Sequence, residues 1–190
     1  MRLHLTGASG TGTTTLGLVL GRRLRIPAVD TDDFYWLPTD PPFTDSRSIE
    51  ERLSLLREAL GAGGWILSGS LVGWGDPLIA LFDAVVFLVV PRQERLRRLS
   101  QREQNRYGPR IAPGGSMFEQ HLAFMAWAGA YEDGSLEIRS RALHEQWLST
   151  LPCPVIRIEG MDPTERHVAL VGNAVERLSI PATERSEFRD

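Results

Sequence analysis

The chain has a single cysteine, Cys153, among 190 residues, so no disulfide can form within it. Cys153 stands between two prolines beside an apolar run, a setting that reads as a buried neutral thiol. No uninterrupted apolar run approaches the ~18 residues that a bilayer span needs, and no basic N-terminal segment leads into an apolar stretch. Positive charge is not in surplus. The formal net charge is -3 and the calculated pI about 5.8, which argues against general nucleic-acid binding and leaves room only for a local basic patch. No internal repeat and no interdomain linker breaks the chain. These absences predict one domain over residues 1–180 in a reducing, cytoplasmic setting, as a monomer or homodimer, with no membrane or nucleic-acid partner and a polar tail over 181–190.

What is present is organised around the opening stretch. Residues 2–6 alternate as a short strand does, residues 7–15 are too rich in glycine and threonine for either regular element, and residues 16–20 carry apolar side chains at helical spacing. The order is strand, loop, helix. Aligned with G-x-x-x-x-G-K-[ST], Gly7 and Gly12 fall in register and Thr14 stands where the magnesium-ligating hydroxyl belongs. Glycines let successive amides turn inward around phosphate oxygens, and the following helix presents its unsatisfied N–H groups and positive dipole end to the same anion. Gly7, Ala8, Ser9, Gly10, Thr11, Gly12, Thr13, Thr14 and Thr15 are therefore expected to hold phosphate, the alternative being a glycine- and threonine-rich turn that joins strand to helix with no ligand. Thr13, however, occupies the lysine position. The ammonium that steadies charge on the transferred phosphate is missing, and removing one such donor typically costs about a hundredfold or more in rate.

The first helix, over 13–24, closes with Arg22, Arg23 and Arg25, which the helix dipole alone explains. A strand over 26–30 then delivers Asp30, Asp32 and Asp33 to the carboxyl rim of a parallel sheet, where ligands bind. One of these carboxylates is expected to meet a magnesium-bound water or an acceptor hydroxyl, Asp32 or Asp33 is expected to cap the next helix, and with three acids and one cap to fill the two roles are compatible. Alternation favours Asp30 and Asp32 for the site and turns Asp33 elsewhere. Residues 37–46 read as an irregular, mobile connection. A helix over 46–62 has Ile49, Leu53, Leu56 and Leu60 on one side, with Arg47 and Arg52 on or near its other faces, solvated or, for Arg47, touching substrate. Strands follow over 65–70 and 83–91, the second a central one buried on both faces.

Between 92 and 110, Arg95, Arg98, Arg102 and Arg106 approximate one helical stripe, either a solvated basic face or an anion-binding one. A hinge over 113–115 precedes a packed amphipathic helix over 117–127, on which His121 reads as a surface residue. A helix over 135–148 points Leu136, Leu143 and Trp147 inward, while spacing assigns no role to Arg139, Arg141 or His144. The last strand covers 154–158, and Asp162-Pro163 opens the last helix.

The loop, the strand ending in Asp30-Thr31-Asp32, the strand ending at Ser68-Gly69 and the arginine helix running into a Gly/Pro segment resemble the adenylate kinase and shikimate kinase group of P-loop small-molecule kinases. Residues 26–38 and the Trp65 strand also resemble bacterial topology modulation or FlaR-like proteins. The resemblance implies an α/β, three-layer P-loop NTPase fold with a five-stranded parallel sheet and a helical lid over about 92–117. It implies ATP or GTP with Mg²⁺, a small-molecule or nucleotide acceptor, Thr14 and Asp32 near the metal, and Asp30 and Asp32 near the acceptor hydroxyl. Arg98, Arg102 and Arg106 become lid arginines, with Arg102 or Arg106 standing in for the lysine that Thr13 replaces. Ser68 stands where adenylate kinase-like enzymes carry an aspartate. The expected activity is phosphoryl transfer from ATP or GTP, and the rival expectation is a nucleotide- or phosphate-binding sensor with impaired chemistry.

Overall fold

The computed structural model describes residues 1–135 and 139–179. Leu136 and the 181–190 tail lie outside the described residues. Five parallel strands, β1 (Arg2–Gly7), β2 (Ala28–Asp30), β3 (Trp65–Ser68), β4 (Ala84–Val89) and β5 (Val155–Glu159), form one sheet in the order β2-β3-β1-β4-β5. The opening strand is thus the middle one, flanked by β3 (Leu3↔Ile66) and β4 (Leu5↔Val86). Its alternation is not one of core against solvent. Leu3 and Leu5 enter the cluster on one face with Leu16, Leu20, Val86 and Val171, while His4 and Thr6 are fully buried on the other. There His4 stacks on Phe82 and meets Trp147 edge-on, in the cluster that also holds Leu56, Trp65, Leu67, Trp74 and Phe87. Burial drives the His4 imidazole down to about 4, so it is neutral at physiological pH.

Helices cover both faces: α1 (Thr13–Leu24), α2 (Asp32–Tyr35), α3 (Ile49–Leu60), α4 (Arg92–Tyr107), α5 (Phe118–Gly129), α6 (Arg141–Ser149) and α7 (Thr164–Ser179). Every crossover between these parallel strands puts a strand's carboxyl end, and the loop after it, on one rim. α1 presses closely on β3: a methyl group at Gly17 would lie 2.2 Å from the Ser68 hydroxyl, which donates to the Thr13 carbonyl at 3.2 Å. Ser68 is consumed by this packing.

Several expectations need correction. α3 starts at Ile49, behind a capping box in which Ser48 and Glu51 satisfy each other's amides. Its buried side is Arg52, Leu56 and Leu60, whereas Ile49 is 49% exposed. Residues 37–46 are tied back by a Trp36↔Ser46 bridge and by the Leu37 amide on the Asp45 carbonyl at 2.8 Å, so the segment is not a loose connection. α6 begins at Arg141 under the Ser140 hydroxyl cap rather than at 135. α5 is no core helix: Leu122 and Trp127 are 47% and 40% exposed. Cys153 is half-buried, its thiol pushed up by burial. Among the described residues no helix is long and apolar enough to cross a membrane.

Candidate functional site

A cleft of about 1710 Å³ runs along the carboxyl rim of the sheet. Typical small-ligand pockets occupy roughly 300–1,000 Å³, so this one has room for a nucleotide and a second molecule. The 7–15 loop forms its floor. Gly10 and Gly12 adopt φ of 85° and 95°, a region that disfavours side chains. A methyl group at Gly10 would also lie 2.7 Å from the Arg95 carbonyl. Thr11 folds the loop on itself, its amide and hydroxyl both donating to the Ala8 carbonyl. Among the described residues the amides of Gly10, Gly12, Thr13 and Thr14 meet no main-chain acceptor, and α1 has no side-chain N-cap. A helix start left open in this way, inside a cleft, is what an anion completes.

The acidic pair meets the loop directly. Thr14 Oγ1 donates to Asp30 Oδ2 at 2.7 Å, and Asp30 Oδ1 accepts the Asp32 amide at 3.0 Å. Asp30 therefore caps α2, and Thr31, not an aspartate, is the N-cap residue. Because the helix begins at Asp32, strand alternation does not govern it, and Asp33 lines the cleft as well as Asp30 and Asp32. Asp32 keeps a solvent-open edge. Even so, the protein around it raises its carboxyl above the ordinary value, aided by Asp30 and opposed by Arg139 and Arg102. With its hydrogen given to Asp30, Thr14 keeps lone pairs for a cation. Thr14, Asp30 and Asp32 thus supply hard oxygen donors of the kind magnesium takes alongside phosphate and water. Among the described residues no cluster of three or more His, Cys, Asp or Glu offers an all-protein metal cage.

The arginine stripe divides. Arg95 is fully buried, forks onto Glu132 at 2.5 and 2.7 Å and donates to the Ser9 carbonyl at 3.0 Å, so it braces the loop from behind. Arg98, Arg102 and Arg106 all line the cleft. Arg98 reaches the Thr11 carbonyl at 3.5 Å while Glu94 holds its Nε. Arg102 lies over Phe124 of α5. His121 also lines the cleft, its Nδ1 4.0 Å from Glu103, so it is not a surface residue. Arg110 bonds Asp40 at 2.6 Å and Gln120 the Pro42 carbonyl at 2.9 Å, joining the α4–α5 flap to the 37–46 segment.

Two arginines went unrecognised in the sequence. Arg52 is 7% exposed, flat over Tyr35 at 3.6 Å and near Trp74, and among the described residues no carboxylate pairs with it. Its clue was available: Arg52, Leu56 and Leu60 share the buried stripe of α3 at four-residue spacing. Arg139 lines the cleft, donates to the Gly7 carbonyl at 3.0 Å and leaves its buried Nε unpartnered. Nothing local marks it. Arg47, by contrast, spends its guanidinium on the carbonyls of Asp33, Phe34 and Trp36, holding the turn after α2. The whole sequence contains no lysine, so every side-chain cation that does not depend on histidine is an arginine.

The profile of a protein family described as "AAA domain" matches residues 4–121. A protein of Bacillus subtilis (strain 168), "Uncharacterized protein YqaC", is 49% identical over 158 residues, covering 83% of this chain and 87% of the relative. Shikimate kinase from Bacteroides thetaiotaomicron superposes with a TM-score of 0.50 at 20% identity, over 93% of this chain and 98% of that one. Shikimate kinase from Acinetobacter baumannii, solved in complex with shikimate, gives 0.54 at 16% identity, over 95% of both chains. At such identities the likeness is one of fold: an α/β, P-loop kinase-like architecture.

Proposed function

From the premise that this chain belongs to the AAA-domain family that its sequence matches, we propose that it transfers a phosphoryl group from ATP or GTP to the hydroxyl of a small acceptor. The observation that carries the reading is the junction of loop and carboxylates: Thr14, at the phosphate floor, is hydrogen-bonded to Asp30, which holds Asp32 at the same end of the cleft. In this reading the open amides of Gly10, Gly12, Thr13 and Thr14 hold the donor phosphates. Magnesium, carried in with the nucleotide and held by Thr14 and Asp32, would neutralise phosphate charge. Asp32, through the carboxylate oxygen that the metal leaves free, takes the proton of the acceptor hydroxyl as that oxygen bonds the terminal phosphorus and the bond to the bridging oxygen breaks. The acceptor lies over the Tyr35–Trp74 side, where a buried cation that has no carboxylate partner among the described residues favours a molecule that carries its own anionic group.

With Thr13 at the lysine position, charge on the moving phosphate falls to Arg98, Arg102 and Arg106 on α4, brought closer when the flap closes. The test is a screen of hydroxylated carboxylates and monophosphates with labelled ATP and magnesium. Transfer to one class, lost in Asp32→Asn, is the expected result. Tight ATP binding without transfer to any acceptor overturns the reading and favours a nucleotide sensor, the alternative that the absent lysine supports.

A further inference from the structure

Beneath the acceptor side of the cleft lies a three-residue hydrogen-bond chain that phosphate binding does not require. Ser70, just past β3, lines the cleft, and its Oγ is 3.2 Å from Nε2 of His144 on α6. The other ring nitrogen, Nδ1, is 2.6 Å from the Tyr131 hydroxyl. His144 is fully buried and Tyr131 is 7% exposed.

The direction of each bond follows from what can donate. Burial keeps the Tyr131 phenol protonated, and the groups beside it, Arg95 over its ring at 5.2 Å and Arg139, offer only donors. The adjacent Glu132 carboxylate is taken by Arg95. His144 Nδ1 is therefore the acceptor for the phenolic hydrogen. Burial, with the Arg139 guanidinium opposing a positive charge beside it, brings His144 down to about 3, so the imidazole is neutral and carries its one hydrogen on Nε2. That hydrogen goes to Ser70 Oγ. The Ser70 hydrogen cannot point back at a protonated nitrogen, and the cleft is where it is left to go.

Resting on the reading of the cleft as an acceptor site, we propose that Tyr131 and His144 are positioning residues that fix the Ser70 hydroxyl as a hydrogen-bond donor to the acceptor molecule. The acceptor must then present an oxygen lone pair at that point, best that of a carboxylate, phosphate or carbonyl, and a group that can only donate, such as an ammonium or guanidinium, is rejected. Specificity of this kind comes from a buried polar group that a wrong ligand leaves unpaired.

Two measurements on the full chain decide it. In ¹⁵N-labelled protein without ligand, the His144 imidazole is expected to show the neutral, Nε2-protonated tautomer from pH 7.5 to 5, and Tyr131→Phe to admit the Nδ1-protonated form. An Nδ1-protonated ring in the wild type, or a titration midpoint near the ordinary ~6.5, overturns the proposal. In protein saturated with Mg-ADP, inorganic sulfate serves as the oxygen-acceptor probe, read by calorimetry. Ser70→Ala and Tyr131→Phe are each expected to weaken it about three- to tenfold, the range of one hydrogen bond. His144→Leu weakens it similarly, and His144→Gln, whose amide can donate to Ser70, recovers most of the loss. Absence of sulfate binding, or unchanged affinity in Ser70→Ala, overturns the proposal. The tautomer needs no nucleotide, so a locked imidazole with Ser70-dependent sulfate binding, in a protein that transfers no phosphate, sinks the kinase reading alone.

Discussion

Arg52 illustrates what a single residue can reveal when its charge is unaccounted for. A buried guanidinium with aromatic faces on one side and no carboxylate partner among the described residues costs free energy in the empty protein, a cost that an anionic ligand would offset. Arg52→Met, which keeps the volume and removes the charge, is expected to raise the thermal midpoint while lowering kcat/KM for the acceptor about ten- to a hundredfold. A falling midpoint with unchanged kinetics would make Arg52 a packing residue. Asp32 makes the complementary case. Its carboxyl is raised in the folded state, so the native protein holds that proton more tightly than the unfolded chain does. The contribution is favourable below the ordinary carboxylate range and becomes a cost as pH rises through the folded value. Asp32→Asn is therefore expected to melt higher than wild type at pH 7, with the gap closing toward pH 3, while transfer is abolished. Equal midpoints at both pH values would contradict the cause given for the raised carboxyl.

At the scale of elements, the contact of α1 with β3 sets where the loop sits. Gly17 leaves no space beyond the Ser68 hydroxyl, so Gly17→Ala must push α1 and its first turn away from the sheet. Overpacking of this kind costs about 1–3 kcal/mol. Urea unfolding should show that loss in Gly17→Ala and recovery of most of it in Gly17→Ala/Ser68→Gly, since the obstacle is one oxygen. α4 holds the opposite lesson. Its half-buried Glu94 is drawn down to about 2 by Arg97 and Arg98, so those two arginines are partly spoken for, whereas Arg106 has no such carboxylate partner among the described residues. Arg106→Ala is expected to lower kcat by about tenfold or more with a smaller change in ADP affinity, as fits a group that acts when the flap closes. An equal loss in both would make it a ground-state phosphate contact.

For the whole molecule, two neutral histidines in one face of the core, His4 and His144, set the acid limit. Both are lowered by burial, to about 4 and about 3, so their stabilising neutral form is fully present above the ordinary ~6.5 and is lost as pH falls toward the folded values. Each contributes a slope of up to about 1.4 kcal/mol per pH unit in that window. Unfolding free energy is expected to drop between pH 6 and 4 and to flatten in His4→Gln/His144→Gln; a level profile in the wild type would refute the assignment. The loop, the order of strands and helices and the acidic turn were legible from residue order, because backbone conformation and periodicity are properties of neighbours along the chain, whereas the arginine stripe was legible only as a stripe, with nothing to separate buried Arg95 from Arg98, Arg102 and Arg106. Burial of His4 was not, since a middle strand hides both its faces whatever its alternation says. Nor was the exposure of α5, whose apolar side lines a cleft that exists only once the flap folds over it. Arg52 and Arg139 reach the cleft from 40 and 127 residues downstream of Gly12, and the Ser70–His144 pair spans 74. The sequence by itself determined that a strand, a glycine-rich loop with open main-chain amides and a helix open this domain. Only the tertiary structure decided which cations and which hydroxyl face the cleft, because those meet through space, under the constraint that buried charge and buried donors find a partner.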